Sequence, residues 1–159
     1  MLEFCAGGEL FYKLSNIPNG RMSEKQAKFY FAEILEAISY LHENNILYRD
    51  LKPENIVIDE QGHIKLTDFG LSKVNFRRED RAYSFCGSPE YMAPEMLATE
   101  KNRMTGNAPM YHNKSLDFYH LGALLFEMLC GLPPFFSENR EKMYRDILYH
   151  AISIPVHLS

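Results

Sequence analysis

Tyr48-Arg49-Asp50-Leu51-Lys52-Pro53-Glu54-Asn55 is the segment around which the other predicted elements are arranged. It places carboxylates, cations and a carboxamide within a few residues of one another. Pro53 has no backbone N–H and a fixed φ, and it disfavours helical backbone at Lys52. The segment is therefore predicted to be a stiffened loop, which is where catalytic groups usually lie.

Two short apolar runs after this loop predict a β-hairpin. Ile56–Ile58 and Ile64–Leu66 are joined by a polar stretch that contains Gly62, as is common in hairpins. Asn55 precedes the first run and Asp68 follows the second, so their side chains are expected to face each other. Carboxylate and amide oxygens suit Mg²⁺, which takes one or two ligands from protein and the rest from phosphate and water. The spacing therefore predicts a site for metal-dependent phosphoryl transfer.

The same loop carries side chains for the transfer step, which needs positioning and charge neutralisation more than covalent help. Asp50 is placed to orient or deprotonate an acceptor hydroxyl, and Lys52 to neutralise the transferred group. Gly70 allows a sharp turn after the metal ligand. Alone, Asp-Leu-Lys-Pro would more often be a solvated turn. Each fixed position has a chance of about one in twenty, so Arg-Asp-x-Lys-x-x-Asn, Asp-Phe-Gly and Ala-Pro-Glu in this order favour the functional interpretation.

The composition is that of an ordinary globular protein, and its 159 residues suggest one domain. The net charge of −4 gives no support to nucleic-acid or membrane-surface binding and permits a basic partner. We expect no nucleic-acid partner. Cys5, Cys86 and Cys130 form no CxxC pair, which predicts reduced thiols. The longest apolar run, residues 121–130, is too short to span a bilayer and contains Glu127. We expect a cytoplasmic protein without membrane insertion, and a nuclear location stays open.

Hydrophobic periodicity predicts a mainly helical chain. Ser23 and Gln26 form a capping box ahead of an apolar stripe, which predicts a helix over residues 23–43. A second helix over residues 116–129 is apolar on nearly all sides and is expected at the centre of the domain. Gly131 is expected to end it.

Other regions carry weaker signals. Residues 9–14 are predicted to be a short helix, Ala93-Pro94-Glu95 to open a helical patch, and Ser137 to cap a final helix. Residues 71–92 are polar and are expected to be exposed and mobile. Residues 99–113 lack periodicity and are predicted to be a surface loop. With the hairpin, these elements predict an α+β fold that is mainly α-helical.

Three motifs together resemble the signature of eukaryotic protein kinases. In chain order they are the loop of residues 48–55, here called the catalytic loop, then Asp68-Phe69-Gly70, and then Ala93-Pro94-Glu95. The resemblance runs from a hinge-like segment at residues 3–9 to the last predicted helix. It implies the large lobe of a kinase domain, with the hairpin at the catalytic cleft. Tyr48, in place of the commoner His, and residues 85–91 are similar to the AGC group of Ser/Thr kinases. The implied activity is transfer of the ATP γ-phosphoryl group to Ser or Thr hydroxyls of proteins.

The resemblance implies a role for each matching position. Asp50 would be the catalytic Asp and Lys52 its phosphate-contacting partner, while Asn55 and Asp68 would hold Mg²⁺. Asp117 would support the catalytic loop from the second long helix. The implied ATP contacts are the backbone of Glu3 and Cys5 at the adenine, together with Glu9 near the ribose, Val57 and Thr67.

The activation segment of such kinases corresponds to the residues between Asp68 and Glu95. Ser84 matches its phosphosite, and a phosphate there would meet Arg49 and Lys73, a clamp that orders the segment. An upstream activating kinase is thus an implied partner. Glu95 would pair with an Arg that the family carries further along the chain.

Substrate recognition is implied at four positions. Ser88 would lie beside the catalytic Asp. Glu9, Glu54 and Glu127 match positions that meet substrate arginines in basophilic relatives. The alternative interpretation is three unrelated surface acids. We expect a protein substrate with Arg two or three positions before its Ser or Thr.

The chain begins at the hinge-like segment, so we expect a partial kinase domain over residues 1–159, without the small lobe and the last helices. Gly7-Gly8 cannot replace the Gly-rich phosphate loop of the family. Little activity is therefore expected from these residues alone. Two hypotheses follow: a Ser/Thr kinase that uses ATP and Mg²⁺, or a non-catalytic kinase-like module that binds a partner. The combination of Asp50, Asn55 and Asp68 favours the first.

Overall fold

Five α-helices and three short strands form the part of the chain that the computed structural model describes, residues 3–108, 110–156 and 158. In chain order they are β1 (Gly8–Glu9), α1 (Leu10–Ser15), α2 (Glu24–Glu43), β2 (Ile56–Ile58), β3 (Ile64–Leu66), α3 (Pro94–Met104), α4 (Ser115–Cys130) and α5 (Arg140–Tyr149). The predicted α+β class, mainly α-helical with a small β-sheet, is confirmed. None of the described helices is long and apolar enough to cross a membrane.

Helix α2 begins where its capping box is predicted. The Ser23 hydroxyl accepts the Gln26 backbone N–H at 3.3 Å, and the Gln26 amide oxygen accepts the Ser23 N–H at 3.2 Å. These bonds satisfy amide groups that the first helical turn leaves open. The apolar stripe buries Ile34 and Ile38 completely, in a core shared with α4. The predicted helix is confirmed, with Ser23 as the cap before its first residue.

Helix α4 forms the other side of this core. Leu124 and Met128 are fully buried, but Phe118 is half exposed. Leu116 also packs against Ala93 and Met96 at the start of α3. The prediction of a helix buried at the centre of the domain is therefore confirmed for most of α4, with Ser115, Phe118 and Gly122 as its exposed positions. Gly131 ends the helix with a φ of +88°, as predicted. A Cβ on it would lie 2.4 Å from the Asn19 carbonyl oxygen, so only glycine fits.

The predicted hairpin is confirmed. Strands β2 and β3 pair antiparallel, with Ile56 opposite Leu66. The structure adds β1 on the other side of β2, where Glu9 lies opposite Val57. This pairing explains why helix α1 begins at Leu10 and not at the predicted residue 9. A two-residue strand has no sequence signal of its own, because its pairing depends on a distant segment.

The prediction of a loop over residues 99–113 is wrong for its first part. Helix α3 continues to Met104, and Thr99 is only 2% exposed. The Thr99 hydroxyl oxygen lies 2.8 Å from the Glu95 carbonyl oxygen and 2.6 Å from the Met110 carbonyl oxygen, and the two carbonyls share its single hydrogen. His112 is also buried. The hydrophobic periodicity of α3 is hard to detect in the sequence, because its outer face is polar and only a few residues form its buried face.

The expectation of an exposed segment over residues 71–92 is wrong in part. Phe76 and Ala82 are buried in a small cluster with Leu47, although residues 77–79 are exposed. The mobility of this segment stays a prediction.

Helix α5 has a different cap from the one predicted. The Asn139 side chain caps it by accepting the Lys142 N–H at 2.9 Å. The Ser137 hydroxyl lies too early in the chain and instead accepts the Asn139 N–H at 3.3 Å. The predicted final helix exists, but Ser137 is not its cap.

Candidate active site

A buried carboxylate at the start of α4 holds the catalytic loop. Asp117 is fully buried, and its two oxygens accept the backbone N–H groups of Arg49 at 2.7 Å and Tyr48 at 2.9 Å. His42 Nε2 lies 2.7 Å from the same carboxylate. A buried charge is tolerated only when hydrogen bonds surround it. These bonds also hold Arg49 at a φ of +74°, which a non-glycine residue rarely adopts.

The Arg49 side chain then reaches into the activation segment. Its Nε donates to the Leu71 carbonyl at 2.7 Å, and its Nη1 donates to the Ser84 hydroxyl at 2.5 Å. The structure thus brings Arg49 and Ser84 together. Lys73 pairs with Leu47 through the backbone, and its ammonium lies 5.8 Å from the Phe76 ring. It makes no hydrogen bond to Ser84 among the described contacts.

Tyr48 connects the catalytic loop to the residues after the hairpin. Its hydroxyl donates to the Thr67 carbonyl, and its ring packs edge-on against Phe69 at a centroid distance of 5.3 Å. Burial, followed by the charge of Asp50, raises the pKa of this phenol well above its usual value, so it remains a donor. The contacts on either side of Asp68 fix its backbone relative to the loop.

The polar side chains of the loop converge on Asp50. The Asn55 amide donates to the Asp50 carboxylate and to its carbonyl, both at 2.8 Å. The Lys52 ammonium lies 3.3 Å from Asp50 Oδ2 and donates to the Ser88 hydroxyl at 2.9 Å. That hydroxyl donates to Asp50 Oδ1 at 3.4 Å. Asp50 is 7% exposed, so its charge acts in a partly desolvated setting.

The donor set at the hairpin ends fits Mg²⁺. The Thr67 N–H donates to the Asn55 carbonyl at 2.9 Å. Asp68 therefore directly follows a residue that is hydrogen-bonded to Asn55. Because the Asn55 amide nitrogen is engaged with Asp50, its amide oxygen is the atom that could ligate a metal. Asp68 is exposed, and one of its oxygens accepts the Gly70 N–H at 3.0 Å. No group of three or more His, Cys, Asp or Glu among the described residues could hold a metal by itself, but Mg²⁺ bound to a nucleotide needs only one or two protein ligands.

An acidic cluster, made of Glu54, Glu90 and Glu127, lies around Tyr91. Tyr91 donates a hydrogen bond to Glu127, and Glu54 and Glu90 lie within electrostatic range of both. Burial, together with these carboxylates, raises the pKa of Glu127 to about 7. Glu9 lies in β1, and none of the described contacts joins it to this cluster. Glu90 was missed by the sequence reasoning, because nothing in its Pro-Glu-Tyr context distinguishes it from a surface acid.

The remaining predicted residues have plain positions. The Glu3 side chain pairs with Lys65 at 2.6 Å, and the Cys5 carbonyl accepts the Gly8 N–H at 3.2 Å. Val57 is half-buried in β2, and the Thr67 hydroxyl donates to the Asn55 carbonyl at 3.1 Å. Glu95 is half-buried at the start of α3.

Comparison with known proteins gives consistent matches. A family model described as "Protein kinase domain" matches residues 1–157. The chain is 49% identical to serine/threonine-protein kinase SCH9 of Saccharomyces cerevisiae over 96% of this chain and 17% of that protein. It is 48% identical to serine/threonine-protein kinase Sgk2 of Homo sapiens over 98% of this chain and 39% of that protein. It is 48% identical to protein kinase 2 of Dictyostelium discoideum over 100% of this chain and 30% of that protein. These relatives confirm the resemblance to AGC-type kinases, and the chain spans less than half the length of each.

Proposed function

Because this chain belongs to the protein kinase family, we propose that it carries the catalytic residues of a Ser/Thr kinase. The proposed reaction transfers the γ-phosphoryl group of ATP to a Ser or Thr hydroxyl of a protein. The observation that carries the proposal is the cluster in which Lys52, Asn55 and Ser88 all contact the Asp50 carboxylate. Such convergence on one carboxylate suits a reaction that depends on positioning and charge.

Each side chain in this cluster has a proposed task. Asp50 accepts a hydrogen bond from the acceptor hydroxyl and takes its proton as the oxygen bonds to the γ-phosphorus, whose bond to the β–γ bridging oxygen breaks and releases ADP. Lys52 neutralises charge on the transferred group, and it stays near Asp50 through their 3.3 Å contact. Asn55 holds Asp50 in place and, with Asp68, would hold Mg²⁺. When bound, Mg²⁺ supplies charge neutralisation at the ATP phosphates.

We infer a preference for basic substrates from the acidic cluster. Glu54, Glu90 and Glu127 concentrate negative charge near Tyr91. Arg side chains before the acceptor residue would pair with these carboxylates, and Glu9 would add a contact from β1. A peptide array in which those arginines are replaced without loss of phosphorylation would contradict this preference.

Regulation is proposed at Ser84, phosphorylated by an upstream kinase. A phosphate on it would meet the Arg49 guanidinium that already contacts the hydroxyl. A cytoplasmic location is proposed as well, with the nucleus left open, since Cys5, Cys86 and Cys130 are free thiols.

The experiment is phosphate transfer from labelled ATP to an Arg-containing Ser peptide by the full-length natural protein. Asp50→Asn should remove the activity, because Asn cannot accept the proton. Asp80→Asn, a change in the activation segment away from the cluster, should leave the activity unchanged. Peptide binding without transfer by the unmodified protein would instead favour a non-catalytic binding module.

A further inference from the structure

Residues 110–113, here called the brace, lie against the activation segment at Ala82. The His112 N–H donates to the Ala82 carbonyl and the Ala82 N–H donates to the His112 carbonyl, both at 2.9 Å. Ala82 and His112 are each 1% exposed. A reciprocal bond pair shielded from water resists opening, since opening must hydrate two buried donors and two buried acceptors.

A side-chain contact next to this bridge strengthens it. The Arg81 guanidinium lies 4.2 Å from the centre of the Tyr111 ring. A cation over an aromatic face at this distance is attracted by the ring. The brace thus contacts two consecutive residues of the activation segment, one through the backbone and one through side chains.

The brace is itself fixed at both ends. The buried Thr99 hydroxyl of α3 donates to the Met110 carbonyl at 2.6 Å. At the other end, Asn113 accepts the Leu116 N–H at 3.1 Å through its carbonyl and the Ser115 N–H at 2.9 Å through its side chain. Since α4 also carries the Asp117 that holds the catalytic loop, the brace joins the activation segment to the same rigid element as the loop.

Ser84 lies two residues beyond Ala82 and contacts Arg49 of the catalytic loop. We propose that the brace holds the activation segment through Ala82 so that the Ser84 hydroxyl lies at Arg49 before any phosphate is added. The inference rests on the proposed function only in naming Ser84 as the regulated residue. The activation segment is then already ordered before Ser84 is phosphorylated, and the phosphate only strengthens the contact with Arg49.

The test is hydrogen–deuterium exchange of the Ala82 amide in the full-length natural protein, measured without ATP or peptide. Tyr111→Ser removes the ring and should speed this exchange by about two- to five-fold, whereas Tyr111→Phe keeps the ring and should not. Arg81→Gln should match Tyr111→Ser, and Arg78→Gln, at another exposed arginine of the segment, should match the wild type. Exchange of the α2 amides should be the same in all five proteins, which separates local opening from global destabilisation.

Ser84→Ala separates the brace from the Arg49 contact. The proposal expects Ala82 exchange in this variant within about twofold of the wild type. It is overturned if Tyr111→Ser and Arg81→Gln leave Ala82 exchange unchanged. It is also overturned if Ser84→Ala speeds Ala82 exchange as much as they do, because the order would then come from Ser84. Either failure leaves the kinase proposal standing, since exchange involves no phosphate transfer.

Discussion

Asp117 Oδ1 accepts the backbone N–H of Arg49 at 2.7 Å, although 68 residues separate them in the chain. This bond and its neighbour to Tyr48 position the catalytic loop from within the helical core. Asp117→Asn keeps one acceptor oxygen, so one buried N–H loses its partner. We expect a loss of about 1–3 kcal/mol in the free energy of unfolding, measured by urea titration. Glu43→Gln, an exposed change at the end of α2, should cost less than about 0.5 kcal/mol. Equal effects of the two variants would contradict this role of Asp117.

Replacing Gly122, inside α4, and replacing Gly131, at its C-terminal end, should change the free energy of unfolding in opposite directions. Gly131→Ala puts a Cβ 2.4 Å from the Asn19 carbonyl oxygen at a φ of +88°, and should destabilise by about 1–3 kcal/mol. Gly122→Ala lies inside the helix with no atom within 4 Å of the new Cβ, and should stabilise by about 0.5–1 kcal/mol. The shift of the urea midpoint should therefore change sign between them. Shifts of the same sign would show that the helix end is wrongly placed.

Under the proposed preference for basic peptides, Glu127 should make peptide affinity depend on pH. Burial raises the pKa of this carboxyl to about 7, so it is largely neutral at pH 6 and ionised at pH 8. Affinity for an Arg-containing peptide should therefore rise with pH, by up to about tenfold for one added charge pair. Glu127→Gln should remove this rise.

Tyr91→Phe should shift the pH dependence of peptide affinity without removing the Glu127 carboxyl. The Tyr91 hydrogen bond favours the ionised form of Glu127, so its removal should raise the pKa of Glu127 further and move the binding curve to higher pH. Fluorescence anisotropy of a labelled peptide would report both effects. A curve that does not move would indicate that another group titrates.

Two buried histidines make the fold sensitive to acid. Burial lowers the pKa of His112 and of His120 to about 4, and their ring nitrogens include three buried atoms without a hydrogen-bond partner among the described residues. In the unfolded chain these two histidines bind protons as the pH falls through about 6.5, whereas in the folded chain they bind protons only near pH 4. Their contribution to stability is therefore complete above about pH 6.5 and is lost as the pH falls towards 4.

The size of this effect follows from the same values. Lowering the pH from 7 to 5 should reduce the free energy of unfolding by about 2 kcal/mol for each histidine. His120→Gln should flatten the pH dependence by that amount relative to both the wild type and the control variant His150→Gln, which changes an exposed position. Parallel pH curves for the wild type and His120→Gln would contradict the assignment.

Local patterns predicted much of the scaffold. The capping box at Ser23 and the hairpin around Gly62 could be predicted because their hydrogen bonds join residues close in sequence. The same reasoning placed Asn55 and Asp68 at the two ends of one hairpin. The order of the kinase motifs was also visible in the sequence, as the family match confirms.

The rest depends on contacts between distant residues. The continuation of α3 requires Thr99 to bond Met110, and β1 exists only because Glu9 lies opposite Val57. The cap of α5 at Asn139 was missed because two neighbouring side chains could serve, and only the folded geometry selects one. The brace had no predicted role, since a single pair of residues joins it to the activation segment through the backbone.

The most direct test of the central claim is metal–nucleotide binding at Asn55 and Asp68. With ATP present and Mn²⁺ as a paramagnetic substitute for Mg²⁺, the side-chain amide signals of Asn55 should broaden before those of residues elsewhere. Asp68→Asn should weaken Mn²⁺–ATP binding by about tenfold or more, equivalent to about 1.4 kcal/mol, while Glu60→Gln at the far end of the hairpin should not. Unaffected Asn55 signals, or equal binding by the Asp68→Asn variant and the wild type, would contradict the account.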